Sequence, residues 1–562
     1  MAQAWWKSAV VYQIYPKSFY DHNGDGIGDL AGITAKLDYI QSLGVNVIWL
    51  CPIFASPMKD NGYDIANYDS VDPVFGSNDD LDILISQASQ RGIKILLDLV
   101  LNHSSNQHPW FEAALADPNS PYADYYQFIE WDKPTPPNNL RTYFDCPVWT
   151  RVPDSNRWYF NSFGPEQPDL NWENPQLRQE IIQMINRWIA KGVAGFRIDA
   201  IGNIKKSPEA LSPYQFPPDR EDGTAFLVPW VVNQLGIHEF LKELASQTFH
   251  PANSMTVAEI DVPPQDLANY IGEDGSFSMV FDFSIADLDI AKQPPFSIVP
   301  ITGERLKPVF LKSQLTTQQV GWGAPYLENH DQPRSLNKFL PKGAISPVAE
   351  KMLAMFLLTQ RGTPFIYQGQ EIGMTNCPMT LNEHHDLHLF KLYQWGQTHG
   401  YSHTTMMNYF TQRSRDNART PFQWNNQHHG GFTTGTPWLK VNPNYREVNA
   451  AAQQQQPDSL FAFYQQLITL RRHSPISDIL VEGEFSEISA PEPVIAYRRT
   501  LGSRAIDIYC NFSDKPQAIH QNYHQVHLSN IANTHNDNIH NDKQQIILQP
   551  YQSIIFEVEK SE

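Results

Sequence analysis

Eight short apolar runs punctuate the first 371 residues, and they constrain the fold more than any other feature of the chain. They are AVVYQIYP (9–16), VNVIWLCP (45–52), IKILLDLVLNH (93–103), VAGFRIDA (193–200), SMTVAEI (254–260), SFSMVFDFS (276–284), APYLENHD (324–331) and PFIYQGQE (364–371). Each is nearly continuous in apolar and β-branched residues. That is the pattern of a parallel strand covered on both faces, not the alternation of a half-solvated one. Helical patterns lie between them, at 31–43, 78–92, 175–192, 237–247, 348–362 and 459–473. The segment after Ser77 has acids in its first turn and a closing glycine, as helix termini favour. Strand–helix alternation on this scale predicts an α/β chain folded as a (β/α)8 TIM barrel.

Residues 104–172 fit no strand–helix unit and are rich in Pro, Asn, Trp and Tyr. They are expected to form a small domain inserted after the third strand. Beyond residue 480 the pattern changes to short strands, VIAYRRT, AIDIYCNF, QQIILQP and QSIIFEVE, which predicts a C-terminal antiparallel β domain. The expected division is a barrel over 1–103 and 173–480, an insert over 104–172 and the β domain over 481–562. Gln453–Gln456 and the His/Asn/Gln-rich stretch 516–545 read as solvated loops.

The formal net charge is −19. Such a chain repels phosphate backbones, so nucleic acid is excluded as a partner, whereas a neutral substrate is indifferent to the field. Cys51, Cys146, Cys377 and Cys510 are widely spaced and contain no CxxC pair, so they fit neither a zinc site nor a dense disulfide framework. No apolar run reaches the ~18 residues of a membrane span, and the N-terminal segment lacks the pattern of a signal peptide. The expectation is a cytoplasmic protein, monomeric or weakly oligomeric, with no membrane partner.

Several of the runs end in a carboxylate. Asp98 lies near the end of the third, Asp199 ends the fourth, Glu259 the fifth and Asp331 the seventh. Catalytic residues of a βα barrel sit at those C-terminal ends. A carboxylate among apolar residues is costly unless it is paired or used, and for Asp98 alone a structural ion pair is an equal alternative. Arg197 and Asp199 are two apart on one strand, so their side chains point the same way. The guanidinium is expected to lower the pKa of Asp199, as suits an anionic nucleophile, while desolvation after TVA raises that of Glu259, as suits a general acid. One charged and one protonated carboxyl is the division of labour in glycoside hydrolysis. His330 and Asp331, adjacent on a strand end, are placed to bind sugar hydroxyls and stabilise positive charge.

A second constellation is DHNGDGIGD (21–29). Oxygens recur at alternate positions: Asp21, Asn23, Asp25, the Ile27 carbonyl and Asp29. This spacing wraps a loop around a hard cation, Ca2+ with Mg2+ as an alternative, in a structural site away from the chemistry. Position twelve is Gly32 rather than the glutamate of an EF-hand. The competing reading is a Gly/Asp-rich turn without metal.

Together these segments resemble glycoside hydrolase family 13, the α-amylase family, and within it the oligo-1,6-glucosidase/α-glucosidase branch. DLVLNH, GFRIDA, TVAEI, ENHDQPR and QPDLNW resemble the family's signature regions, in the family's order. NGYDIANY (61–68), SRDNARTPFQW (414–424) and PWLKVNPNY (437–445) resemble branch signatures. The resemblance implies that Asp199 is the nucleophile, Glu259 the acid/base and Asp331 a third, substrate-distorting carboxylate. It implies that Asp60 and Arg415 grip the terminal glucose and that Tyr63 stacks on it. His103, Gln167, Arg197 and His330 surround the same sugar, and Phe144 and Phe163 wall the pocket. A closed pocket implies exo action on a small oligosaccharide or disaccharide, through a covalent glucosyl-enzyme. It also supports a cation in the 21–29 loop. Ala200, after the nucleophile, matches neither the valine that accompanies α-1,6 preference nor the threonine that accompanies α-1,4 preference. The RLDRD-type motif of sucrose isomerases is absent, and IADLDIAKQ (285–293) stands in its neighbourhood. The alternative function is sucrose isomerisation or transglucosylation through the same intermediate.

Overall fold

The structure is a computed structural model that describes residues 4–291, 296–531 and 545–559. Its main sheet is parallel, with strands β1 (Val11–Ile14), β2 (Val47–Leu50), β3 (Lys94–Val100), β4 (Gly195–Asp199), β5 (Met255–Ala258), β6 (Met279–Val280) and β7 (Phe365–Tyr367). The strand order is β6-β5-β4-β3-β2-β1-β7, that of a (β/α)8 barrel, and every one of these strands falls within an apolar run picked out above.

The eighth run, 324–331, is the exception. Gly323 and Pro325 lie beside the start of β7, their carbonyls accepting Thr363 N–H at 3.0 Å and Phe365 N–H at 2.9 Å. Pro325 has no N–H to return, so no ladder forms and the segment is not a regular strand. His330 and Asp331 therefore follow an extended, unladdered run rather than a strand end.

Contacts group the chain into two compact units. One comprises Met1–Ile48, Gln87–Ile93 and Phe281–Glu562, the other Trp49–Ser86 and Lys94–Val280. In the second unit, β4 lies between β3 and β5, with Arg197 opposite Asp98 on one side and Val257 on the other. Gly195 begins β4 because a Cβ there would meet Met255 O at 1.9 Å, so the close approach of β5 requires glycine. The helix Pro175–Ala190 precedes β4. Asn174 caps it, accepting from Gln176 N at 2.8 Å and Leu177 N at 3.2 Å. Its Leu177, Ile181, Ile185 and Trp188 recur at helical spacing and are buried.

The segment 104–172 carries the helix Pro109–Ala116 and a three-stranded antiparallel sheet of Phe128–Glu130, Arg157–Phe160 and Trp149–Arg151. Leu140–Arg141 pairs in parallel with Ala225–Phe226. The proline-rich stretch after β4 thus packs on the insert, and Phe216, Leu227 and Val231 share a core with Trp149, Trp158 and Phe160.

The first unit ends in an antiparallel sheet of Glu484–Glu487, Val494–Leu501, Arg504–Asn511, Ser553–Glu559 and Gln525–Ser529, in that spatial order. Gln453–Gln455 are helical rather than looped. Asn449 Oδ1 accepts Ala452 N–H at 2.9 Å and starts the short helix Ala450–Gln455. Part of the 516–545 stretch forms the strands Gln517–His520 and Gln525–Ser529, while 532–544, like residues 292–293 of the IADLDIAKQ segment, lie outside the described residues. The helix Gly303–Val320 has no counterpart among the expected helices, because Pro308 in its second turn reads as a breaker. Among the described residues the four cysteines are free, and no helix is long and apolar enough to cross a membrane.

Beneath β1 and β7 lies a buried acid, Glu371. Its Oε1 accepts Tyr12 O–H at 2.8 Å and Tyr39 O–H at 2.7 Å, and its Oε2 accepts Gly369 N–H at 2.8 Å. Burial pushes its carboxyl up to about 7 against the pull of these donors. The folded state therefore holds a proton that the unfolded chain releases near pH 4.5, and stability falls as pH rises from there towards 7. Denaturant midpoints measured at pH 5 and pH 8 are expected to fall less steeply with pH in Glu371→Gln than in the wild type. An unchanged slope would remove Glu371 from the account.

Candidate active site

In the second unit the ends of β3, β4 and β5 bring three acids onto one buried guanidinium. Arg197 is 2% exposed. Its Nη1 lies 2.8 Å from Asp98 Oδ1 and 2.8 Å from Asp199 Oδ1, and its Nη2 lies 2.5 Å from Glu259 Oε2. The sheet explains the convergence. Arg197 and Asp98 are opposed in the ladder, and Glu259 continues β5 by donating its N–H to Ile198 O at 2.9 Å. Asp98 also accepts Trp49 Nε1–H at 3.3 Å and Tyr63 O–H at 3.0 Å.

The next residue, Ala200, has φ 40° and ψ 35°, a left-handed conformation that costs a non-glycine residue about 1–2 kcal/mol. It ends β4 sharply, and its N–H donates to Glu259 Oε2 at 3.1 Å. Backbone strain at this point thus coincides with a fixed carboxylate.

The charge balance corrects one expectation. Burial pushes the Asp199 carboxyl up, Arg197 pulls it down, and the charges of Glu259 and Asp98 push it up again, leaving it well above its ordinary value. One guanidinium cannot neutralise three acids in a desolvated site. Asp199 and Glu259 are also hydrogen-bonded to each other.

A wall extends from this centre. His103 Nε2 donates to Tyr63 O at 3.0 Å, and Asn102 Nδ2 donates to His103 Nδ1 at 3.2 Å. Burial pushes the imidazole down, so it is neutral at pH 7. Gln167 Nε2 reaches Asp60 Oδ2 at 3.1 Å and lies 3.2 Å from His103 Nε2. Phe163 contacts His103 and Phe144, with ring centroids 5.0 and 5.7 Å apart, and stacks on Tyr143 at 4.9 Å. Asp60, Tyr63, His103, Phe144, Phe163, Gln167, Arg197, Asp199 and Glu259 therefore form one continuous set of contacts. Tyr143 was not among the expected residues. Its O–H accepts Asn203 Nδ2–H at 3.1 Å, and burial pushes the phenol up to about 12.

The first unit gathers the remaining expected side chains. Asp331 Oδ2 accepts His330 Nε2–H at 3.1 Å, while Oδ1 lies 2.6 Å from Arg419 Nη2 and 3.4 Å from Arg415 Nη1. Burial pushes this carboxyl up, but His330, Arg419 and Arg415 outweigh it and hold the group well below its ordinary range. Gln13 Nε2 donates to His330 Nδ1 at 2.9 Å and fixes the ring. Arg415 Nη2 donates to Asp386 Oδ1 at 2.7 Å. Arg419 had a sequence signal, since it lies in SRDNARTPFQW, whereas Asp386 sits in a segment with no strand, helix or spacing cue.

The 21–29 loop lies in the same unit. Gly24 and Gly26 have φ of 85° and 96°, so the chain doubles back tightly. Asp21 accepts Gly24 N–H and Gly26 N–H, both at 2.7 Å, and Asp29 Oδ1 accepts Gly32 N–H at 2.6 Å. Asn23 and Asp25 each accept the N–H two residues on, at 2.9 Å. Among the described residues no three His, Cys, Asp or Glu side chains cluster as metal ligands. The loop's oxygen-only donor set, with one amide and one backbone carbonyl, still suits a hard cation.

A model of the α-amylase catalytic domain matches residues 13–483. The chain belongs to the α-amylase family of glycoside hydrolases, family 13. It is similar to the oligo-1,6-glucosidase of Parageobacillus thermoglucosidasius, at 41% identity over 524 residues and 92% of each chain. Among solved structures it is similar to an isomaltulose synthase from Klebsiella sp. LX3, with TM-score 0.92 and 34% identity over 99% of this chain and 100% of that one. It is equally similar in sequence to the trehalose-6-phosphate hydrolase of Bacillus licheniformis, with TM-score 0.90 and 34% identity over 99% and 100%. The Asp98 charge adds to the push on the Asp199 carboxyl. Asp98→Asn is expected to move the acidic limb of the kcat/KM pH profile to lower pH, because removing that charge lowers the Asp199 pKa. An unmoved limb would show that the three acids do not titrate together.

Proposed function

We propose that the chain is a retaining, exo-acting α-glucosidase that releases terminal α-linked glucose from short oligosaccharides or disaccharides. The observation that carries this reading is the pair of carboxyl groups, Asp199 and Glu259, in hydrogen-bond contact on a single guanidinium. Carboxyls that close leave no room for the water that an inverting enzyme places between groups about 6.5–9.5 Å apart. In this reading Asp199 attacks the anomeric carbon while Glu259 protonates the glycosidic oxygen. The aglycone leaves and a glucosyl-Asp199 ester remains. Glu259 then deprotonates a water, which attacks the same carbon and frees glucose and Asp199. The family resemblance gives Asp331, held anionic by His330, Arg415 and Arg419, the part of the third carboxylate. Asp60, His103 and Gln167 offer hydrogen bonds to one sugar, with Tyr63, Phe144 and Phe163 as apolar faces.

Two supports come from relatives. The Parageobacillus protein is an oligo-1,6-glucosidase, which favours isomaltose-like substrates. The Klebsiella protein is an isomaltulose synthase, which keeps transfer of the same glucosyl group as the second reading. Glucose release from p-nitrophenyl α-glucoside, isomaltose, maltose and sucrose, with product analysis on sucrose, separates the two. Asp199→Ala is expected to lose at least about 10^3-fold in rate on every substrate that the wild type cleaves. Isomers of sucrose instead of glucose would favour transfer, and full activity in Asp199→Ala would sink both readings.

For the 21–29 loop we propose a bound Ca2+, or Mg2+, held by Asp21, Asn23, Asp25, the Ile27 carbonyl and Asp29. The ion would offset the loop's carboxylate repulsion and stabilise the fold without entering the reaction. Chelation is expected to lower the melting temperature by several degrees, with recovery on adding Ca2+ and no such response in Asp21→Ala. A melting temperature indifferent to chelator and cation would leave the loop a metal-free turn.

A further inference from the structure

The insert and residues 213–224 line a cavity of about 470 Å3 that shares no residue with the carboxylate site. Its walls include Trp131, Lys133, Asn138, Asn139, Arg141 and Gln215. The amides brace it. Asn138 Nδ2 donates to Ala210 O at 3.0 Å and Ser212 O at 3.1 Å. Asn139 Nδ2 donates to Phe216 O and Gly223 O, both at 3.0 Å, and Gln215 Nε2 donates to Pro137 O at 3.1 Å. These bonds fasten residues 210–223 to residues 137–139, above the core that holds Leu140, Trp149 and Phe216. The volume falls in the range of small-molecule sites, about 300–1,000 Å3.

Its electrostatics run against the rest of the chain. The protein carries a formal charge of −19, yet the lining has two cations, Lys133 and Arg141, and no carboxylate. The Lys133 ammonium sits 4.9 Å from the centroid of the Trp131 ring. The acid that Arg141 influences is Asp222, off the lining and hydrogen-bonded to Thr224. The Asn138 and Asn139 amide donors are engaged in bracing, and the charged groups of the lining are the two cations, beside the Trp131 ring. That combination suits a molecule with one anionic group and one apolar sugar face, rather than a neutral sugar read through its hydroxyls.

We propose that this cavity binds a phosphorylated monosaccharide, with Arg141 and Lys133 holding the phosphate and Trp131 covering the ring. Arg141 stands two residues before Tyr143 and three before Phe144, so an occupant is tied by the backbone to the wall that carries Phe163.

The test is calorimetric titration of the full chain with glucose 6-phosphate, glucose and inorganic phosphate, on wild type, Lys133→Glu and Arg141→Ala. Lys133 is exposed, so its charge reversal tests the site without threatening the fold, and unchanged melting temperature and KM for p-nitrophenyl α-glucoside confirm that. Glucose 6-phosphate is expected to bind the wild type at least ten-fold more tightly than glucose or inorganic phosphate, and each substitution is expected to weaken it at least ten-fold. Equal binding of inorganic phosphate would reduce the cavity to an anion site and overturn the sugar assignment. Binding that ignores both substitutions and competes with substrate would place the sugar phosphate in the catalytic pocket. No binding by any of the three would also overturn the proposal.

Discussion

The buried charge of Arg197 is the constraint on which the carboxylate cluster of the second unit depends. A guanidinium this deep is tolerated only if anions surround it, and β3, β4 and β5 each deliver one: Asp98, Asp199 and Glu259. Replacing Arg197 would leave three acids without a cation in a desolvated place. Burial drives the Asp199 carboxyl up although its nearest partner is cationic, and the charges of Glu259 and Asp98, which one guanidinium does not offset, add to it.

Around that centre the protein uses neutral contacts to fix geometry. Burial keeps His103 uncharged, and Tyr63 O and Asn102 fix its tautomer. Gln167 links it to Asp60, and the Phe163 ring packs between His103 and the Tyr143–Phe144 pair. The contrast with the Asp331 group is instructive. There, two arginines and a histidine face one acid, and the acid is held firmly anionic. Burial pushes both the Asp199 and the Asp331 carboxyl up, and only at Asp331 do the neighbouring cations outweigh it.

Much of the fold was legible because buried parallel strands leave nearly continuous apolar runs, and seven of the eight runs became sheet strands. The eighth did not, because Pro325 has no N–H to complete a ladder. Asp386 left no signal at all, because its role comes from a loop brought beside Arg415 in space. The helix Gly303–Val320 was hidden by Pro308, which a long helix can accommodate but a short-range pattern cannot.

The sequence by itself determined the strand–helix order, the carboxylates at the strand ends and the family, since these depend on side-chain period and on residues close in the chain. Tertiary structure alone decided the sign of the Asp199 shift, the bracing of the 210–223 stretch onto the insert and the cation-lined cavity. Each of these is a balance among residues far apart in sequence, and electrostatic and packing energies depend on distances that no local pattern records.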